Sequence, residues 1–307
     1  MKTDHVNRLA LAACVLATIA TGARAADPTM ESDGLIFAGT LGGAVGAHYA
    51  TAAGDDSDGV DVMDGTVFTI AGQGAVSIPL GEMLALQLDG ANEFYTRSND
   101  DEDDADSAGV FGAHLSLRDP GLGLIGILGG VGLGSSIDDS NKGQLGWFVG
   151  GEGQMYFGNL TLYAQVGYAD FQVDDDTPGG EGFVEAWFAG GEARYFITDD
   201  MMLNANVSYG ATDSYVDGED QGDAWNWGVG GAMRLTDSMP IYATADYRGG
   251  RYYADDGGEE IVQEQAFLVG LSFLFGAPSL LENDRRGATL SSPMLPARAA
   301  AWTEGLD

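Results

Sequence analysis

The segment Leu160 to Tyr168, LTLYAQVGY, sets Leu160, Leu162, Ala164, Val166 and Tyr168 on one face of an extended chain. Thr161, Tyr163, Gln165 and Gly167 fall on the other. A period of two with one apolar and one polar face describes a strand that is buried, or bathed in lipid, on one side only. The beat returns in MLNANVSYG, PIYATADYR and MLALQLDG. Twelve such segments can be marked, at 35–51, 66–79, 83–97, 108–118, 122–136, 144–157, 160–171, 183–197, 201–211, 224–235, 240–253 and 263–275, with ends good to about 2–4 residues. No segment of helical period competes with them. Beyond the first 25 residues no run of 18 apolar residues occurs, so a spanning helix is excluded and a closed β-barrel is the one way left to cross a membrane.

The connections alternate in kind. After the second, fourth, sixth, eighth and tenth segments they are short: LGE, DPG, GN, TDD and TDSM. After the odd-numbered segments they are long and acidic, as in AAGDDSDGVDVMDG, NDDEDDADS and VDDDTPGGEG. Short turns on one rim and long loops on the other predict an all-β, up-and-down antiparallel transmembrane barrel of about twelve strands. A soluble β-sandwich is the competing architecture, but its strands run to about 5–6 residues, against about 9–11 for a tilted spanning strand. Aromatic residues gather at segment ends: Tyr49, Phe94, Trp147, Tyr168, Tyr209 and Trp225 toward the acidic rim, and Phe37, Phe157, Tyr195 and Phe275 toward the turn rim. Paired girdles of this kind mark the two headgroup levels.

Residues 1–25 carry Lys2 and Arg8, an apolar stretch, and ARA before Ala26, the pattern of a secretory signal peptide. LAAC at Leu11–Cys14 also admits a lipoprotein reading. Cleavage after residue 25 removes three bases and one acid, taking the net charge from -34 to -36, and with them Cys14, the one cysteine. An exported chain without a disulfide framework follows. So large an acidic excess argues against nucleic acid as a partner. The organisation expected is a signal peptide at 1–25, a periplasmic lead-in at 26–33, a barrel at 34–276 and a tail at 277–307. The tail has no period, three arginines and three prolines. It is read as a flexible periplasmic extension in preference to a lumen plug.

The last segment, AFLVGLSFLFG, spaces Gly270, Phe273 and Phe275 as G-x-x-aromatic-x-aromatic. With the twelve-fold organisation over 34–275, this resembles bacterial outer-membrane β-barrels of the porin-like kind and their terminal assembly signal. Leu268 stands where a polar residue is usual, and about thirty residues follow the signal. The resemblance implies location in the bacterial outer membrane, insertion by the barrel-assembly machinery, both termini in the periplasm, and contact with outer-membrane lipid and lipopolysaccharide. It leaves the oligomeric state open.

Parity turns Asp89, Glu93, Glu152, Glu192 and Asp246 into the lumen, with Arg118, Arg194, Arg234 and Arg248. Charge tolerated at membrane depth faces water or another charge, so these side chains either filter ions or tie the wall together, and wall salt bridging is favoured for Glu192 and Arg194. Inward Gly42, Gly46, Gly126, Gly130, Gly132, Gly228 and Gly230 suggest open space. The loop acids, namely Asp55, Asp56 and Asp58, then Asp100, Asp101, Glu102, Asp103 and Asp104, then Asp174, Asp175 and Asp176, make a negative mouth. That mouth is a solvated surface, a lens for cations, or a loose Ca²⁺ or Mg²⁺ binder. No dedicated metal site and no cofactor are expected. His48 and His114 are the histidines beyond the signal and both turn inward, which gives no support to enzyme chemistry. The expectation is a porin-like channel for passive diffusion of small hydrophilic solutes, biased toward cations. The alternative is a non-conducting structural or surface-interaction barrel whose acidic loops bind divalent ions, lipopolysaccharide or an external partner.

Overall fold

A computed structural model describes residues 37–52, 65–96, 105–135, 143–172, 185–215, 220–254 and 259–303. The signal peptide, the lead-in up to residue 36 and the six long connections lie outside these residues. Asp55, Asp56, Asp58, Asp100, Asp101, Glu102, Asp103, Asp104, Asp174, Asp175 and Asp176 lie outside them too.

Twelve strands run β1 (Ala38–Ala52), β2 (Gly65–Pro79), β3 (Leu84–Thr96), β4 (Ala105–Asp119), β5 (Gly123–Ser135), β6 (Gly143–Phe157), β7 (Leu160–Gln172), β8 (Glu185–Thr198), β9 (Met201–Tyr215), β10 (Asp220–Thr236), β11 (Met239–Ala254) and β12 (Glu259–Phe275). Each pairs antiparallel with the next, and β12 closes on β1 from Gly39–Phe275 to Ala52–Val262. Closure leaves no edge, so the backbone hydrogen bonds are met within the wall. β9, β10 and β12 extend past the alternating segments into DSY, DQGD and EE. Above the hydrocarbon a ladder needs no apolar face, so hydropathy alone sets those ends short.

The sidedness is inverted relative to a water-soluble domain. Val45, Ile125, Val166, Val229 and Val269 point outward and are about half exposed, while inward Gln87, Asp89, Glu93, His114 and Arg118 are buried. Trp147, Tyr168 and Trp187 form one aromatic run at the loop rim, with ring centroids 5.8 and 5.4 Å apart. Phe37, Phe157 and Tyr195 are exposed at the turn rim. On β12, Phe273 and Phe275 stack with centroids 6.5 Å apart.

The chain does not leave the barrel at β12. Gly276 takes a positive φ of 72°, and a Cβ there would lie 1.8 Å from the Phe37 carbonyl. This glycine turns the chain back into the lumen. Helices α1 (Leu280–Arg286) and α2 (Leu295–Thr303) follow, joined by residues 287–294, which form neither helix nor strand. Ser279 caps α1 by accepting the Glu282 amide at 3.2 Å. The tail read from sequence as a flexible extension is therefore folded inside the barrel through the described residues. Its period-free composition fits this position, because it is matched to a polar wall.

An outward charge should be costly. Val269→Arg is expected to lower barrel stability by about 2–4 kcal/mol, with Thr244→Arg, inward on the adjoining strand, leaving the unfolding midpoint near that of the parent; urea unfolding in lipid vesicles measures both.

Candidate functional site: the lumen and its resident segment

The basic residues near the turn rim receive the start of the tail. Arg234 donates to Asp200 at 3.0 Å and to the Pro278 carbonyl at 3.2 Å, and the Leu281 amide donates to the Asp199 carbonyl at 3.0 Å. Arg285 donates to the Gly158 carbonyl at 2.7 Å and to Thr161 Oγ1 at 2.9 Å, with its guanidinium 4.0 Å from the Tyr156 ring centroid. Arg118 donates to the Gly287 carbonyl at 2.6 Å. Arg194 bridges two sides, reaching Glu192 at 2.6 Å on its own strand and Asp284 of α1 at 3.0 Å.

From there the tail climbs beside β3, both chains rising toward the loop rim. Gln87 Oε1 accepts the Thr289 and Leu290 amides at 2.9 and 3.0 Å, and Gln87 Nε2 donates to the Leu290 carbonyl at 2.7 Å. Tyr163 donates to the Ser291 carbonyl at 3.3 Å. Asp89 accepts the Ser292 amide at 2.9 Å and its hydroxyl at 3.2 Å. Higher still, Glu93 takes Arg298 through two bonds, 2.8 and 3.1 Å, and also pairs with Arg248. A carboxylate this buried needs such partners, since an unpaired charge at low dielectric is strongly unfavourable.

Of the nine inward charges read from sequence, five touch the tail, namely Asp89, Glu93, Arg118, Arg194 and Arg234, and three share a partner with it, namely Arg248, Glu192 and Glu152. Glu152 holds His114 Nδ1 at 2.9 Å and accepts Tyr163 at 2.9 Å. His114 Nε2 meets Asp89 at 2.6 Å, so both ring nitrogens are engaged by carboxylates and neither is placed to serve a nucleophile. Glu192 also accepts Asn204 at 3.1 Å. Asp246 faces the remaining space beside Gly230, with no ion-pair partner among the described residues. Among those residues, no group of His, Cys, Asp or Glu is arranged to hold a metal. Gly270 packs tightly against β1, where a Cβ would lie 2.3 Å from the Gly43 carbonyl.

At the loop end the lumen turns apolar. Leu295, Ala297 and Ala299 of α2 pack in one buried cluster with Tyr95, Phe148, Phe171, Phe188 and Tyr252 from the wall. Two of the inward glycines serve this packing. A Cβ at Gly130 would fall 2.5 Å from the Phe148 ring, and one at Gly132 would fall 2.6 Å from Phe171. These two make room for rings, which corrects their reading as open channel, whereas Gly228 lines the remaining cavity. Gly112 gives way to the tail itself, since a Cβ there would lie 1.9 Å from Ser292 Oγ. Below α2 a cavity of about 530 Å³ remains between the tail and the wall, with apolar and polar lining that includes Gln73, Glu192, Asn204, Asn206, Asp246 and Arg248.

Sequence reasoning missed Gln87 and Tyr163 as wall partners of the tail, and Asp284 as the tail's partner for Arg194. The usable signal was positional: a glycine directly after the terminal aromatics, and arginines in a tail opposed by inward acids.

A closed antiparallel barrel with an apolar exterior, aromatic rims and a charged interior is a bacterial outer-membrane β-barrel, and its place is the outer membrane. Solved structures agree on the fold. An outer-membrane channel of Pseudomonas putida F1 aligns with a TM-score of 0.53 at 14% identity, over 81% of this chain and 100% of that one. Looser alignments reach the NalP autotransporter translocator domain of Neisseria meningitidis, TM-score 0.42, 12% identity, 88% and 96% covered. The DcaP outer-membrane channel of Acinetobacter baumannii gives 0.37 at 12% identity, with 80% and 99% covered. No protein-family model and no curated protein matches the chain.

Packing at Gly112 gives a direct expectation. Gly112→Val should dislodge the tail, so that trypsin cuts the folded, heat-modifiable barrel after Arg298, while the parent protein resists at that bond.

Proposed function

We propose that this protein is an outer-membrane diffusion channel for small polar solutes, with α2 and its apolar collar closing the loop end in the conformation described. The carrying observation is the cavity beside the tail. A barrel built only for structure fills its interior with side chains, whereas here a solute-sized space remains, lined by amides and hydroxyls, by Glu192, Asp246, Arg194 and Arg248, and by apolar side chains. Passage follows that space and requires α2 to yield at the loop end. Amide side chains replace part of a solute's hydration shell without fixing its charge. Asp246, with Glu192 on the same cavity, biases the path toward cations, and the acidic loops add to that bias by raising cation concentration at the mouth.

Current through the refolded full chain in a planar bilayer, under a low-salt KCl gradient, tests the reading. Discrete steps of low open probability are expected, with a reversal potential favouring K⁺. Asp246→Asn should move that reversal potential toward zero without abolishing the steps. A silent bilayer from both the parent protein and the tail-dislodged Gly112→Val barrel would leave the non-conducting structural reading in its place.

A further inference from the structure

The resident segment is held in a particular way. Between Gly287 and Ser292 most wall contacts are to main chain: Arg118 takes the Gly287 carbonyl, Gln87 the Thr289 and Leu290 amides and the Leu290 carbonyl, Tyr163 the Ser291 carbonyl, and Asp89 the Ser292 amide. Two hydroxyls are met as well, Thr289 by Gln154 and Arg194, and Ser292 by Asp89. A side-chain amide that both donates to and accepts from a neighbouring backbone imitates a strand partner. The main-chain contacts are open to many sequences, as in strand-addition sites, and the Thr289 and Ser292 hydroxyls add a preference for small hydroxyl residues at those two positions. The strongest selectivity sits at the two ends. Arg285 enters a carbonyl, a hydroxyl and an aromatic face at Gly158, Thr161 and Tyr156. Arg298 is clasped by Glu93 in the two-bond manner that distinguishes guanidinium from ammonium. Gly112 keeps the groove floor clear where the Ser292 side chain sits.

We infer that the inward face of β3 to β7 is a peptide-binding surface, that residues 284–299 occupy it as a built-in ligand, and that it accepts a separate extended peptide bearing arginines at matching ends once the resident segment is loosened. This goes beyond passage of small polar solutes, and it rests on that reading only for the lumen as the route of entry.

The test uses the full refolded chain in detergent and a fluorescent peptide with the sequence of residues 284–299, read by anisotropy so that no conduction is needed. Arg285→Ala with Arg298→Ala loosens the resident segment while leaving the wall intact. Ser292→Pro is a second variant, which removes the amide that Asp89 accepts. Either variant should bind the peptide about tenfold tighter than the parent protein does, and a peptide with Arg285 and Arg298 changed to alanine, Arg286 kept, should bind about tenfold more weakly. Gln87→Leu on the loosened background should weaken binding by a similar factor. Equal binding of a scrambled peptide, equal binding to parent and loosened protein, or no binding to either variant overturns the inference. A channel silent in the bilayer would leave this binding result standing, so the two readings fail separately.

Discussion

A backbone in hydrocarbon has no solvent for its polar groups, and the pairing of β1 with β12 is what lets this chain stay there. Everything else follows from that closure. It forces the even, antiparallel meander, sends apolar side chains outward to lipid, and confines the polar half of every strand to one interior. It also creates a sealed space in which charged groups must find partners within the protein or in water.

The interior solves that problem with the chain's own end. Glu93 and Asp89 would be poorly placed in an empty dry lumen, and the tail brings Arg298 and the Ser292 amide and hydroxyl to them. The contacts are polar near the turn rim and along β3, then apolar around α2 at the loop end. The two regions differ physically. The hydrogen bonds along β3 join groups that are themselves buried; each contributes on the order of 1 kcal/mol net, and a partner left unpaired there would cost more, whereas the α2 cluster is held by area removed from water.

The wall was legible because strand parity is rigid. A one-residue error would have moved Val166 and Gln165 to opposite faces, and the period of two in LTLYAQVGY forbids it. Short turns were legible for the same reason, as interruptions of a strict beat. The loop-side ends of β9, β10 and β12 were not, since pairing there continues through acids that carry no hydropathy signal. The tail was opaque for a different reason. Its partners stand about two hundred positions away, as with Gln87 and Leu290, and its two helices are too short to show a period. Inward glycines could not by themselves tell empty space from space reserved for Phe148, Phe171 or Ser292.

The position of the resident segment inside the lumen is the claim on which the rest turns, and a disulfide reads it most directly. A Cβ on Gly112 would lie 3.2 Å from the Ser292 Cβ, close to the separation of about 3.5–4.5 Å that a disulfide spans. In the full chain with Cys14 replaced by alanine, Gly112→Cys with Ser292→Cys should form an intramolecular bond nearly completely under mild oxidant in the folded barrel. Gly43→Cys with Ser292→Cys, which pairs the tail with the outward face, should form none. Free thiols in the first protein, with folding confirmed by heat-modifiable migration, would place the tail outside the lumen and contradict the account.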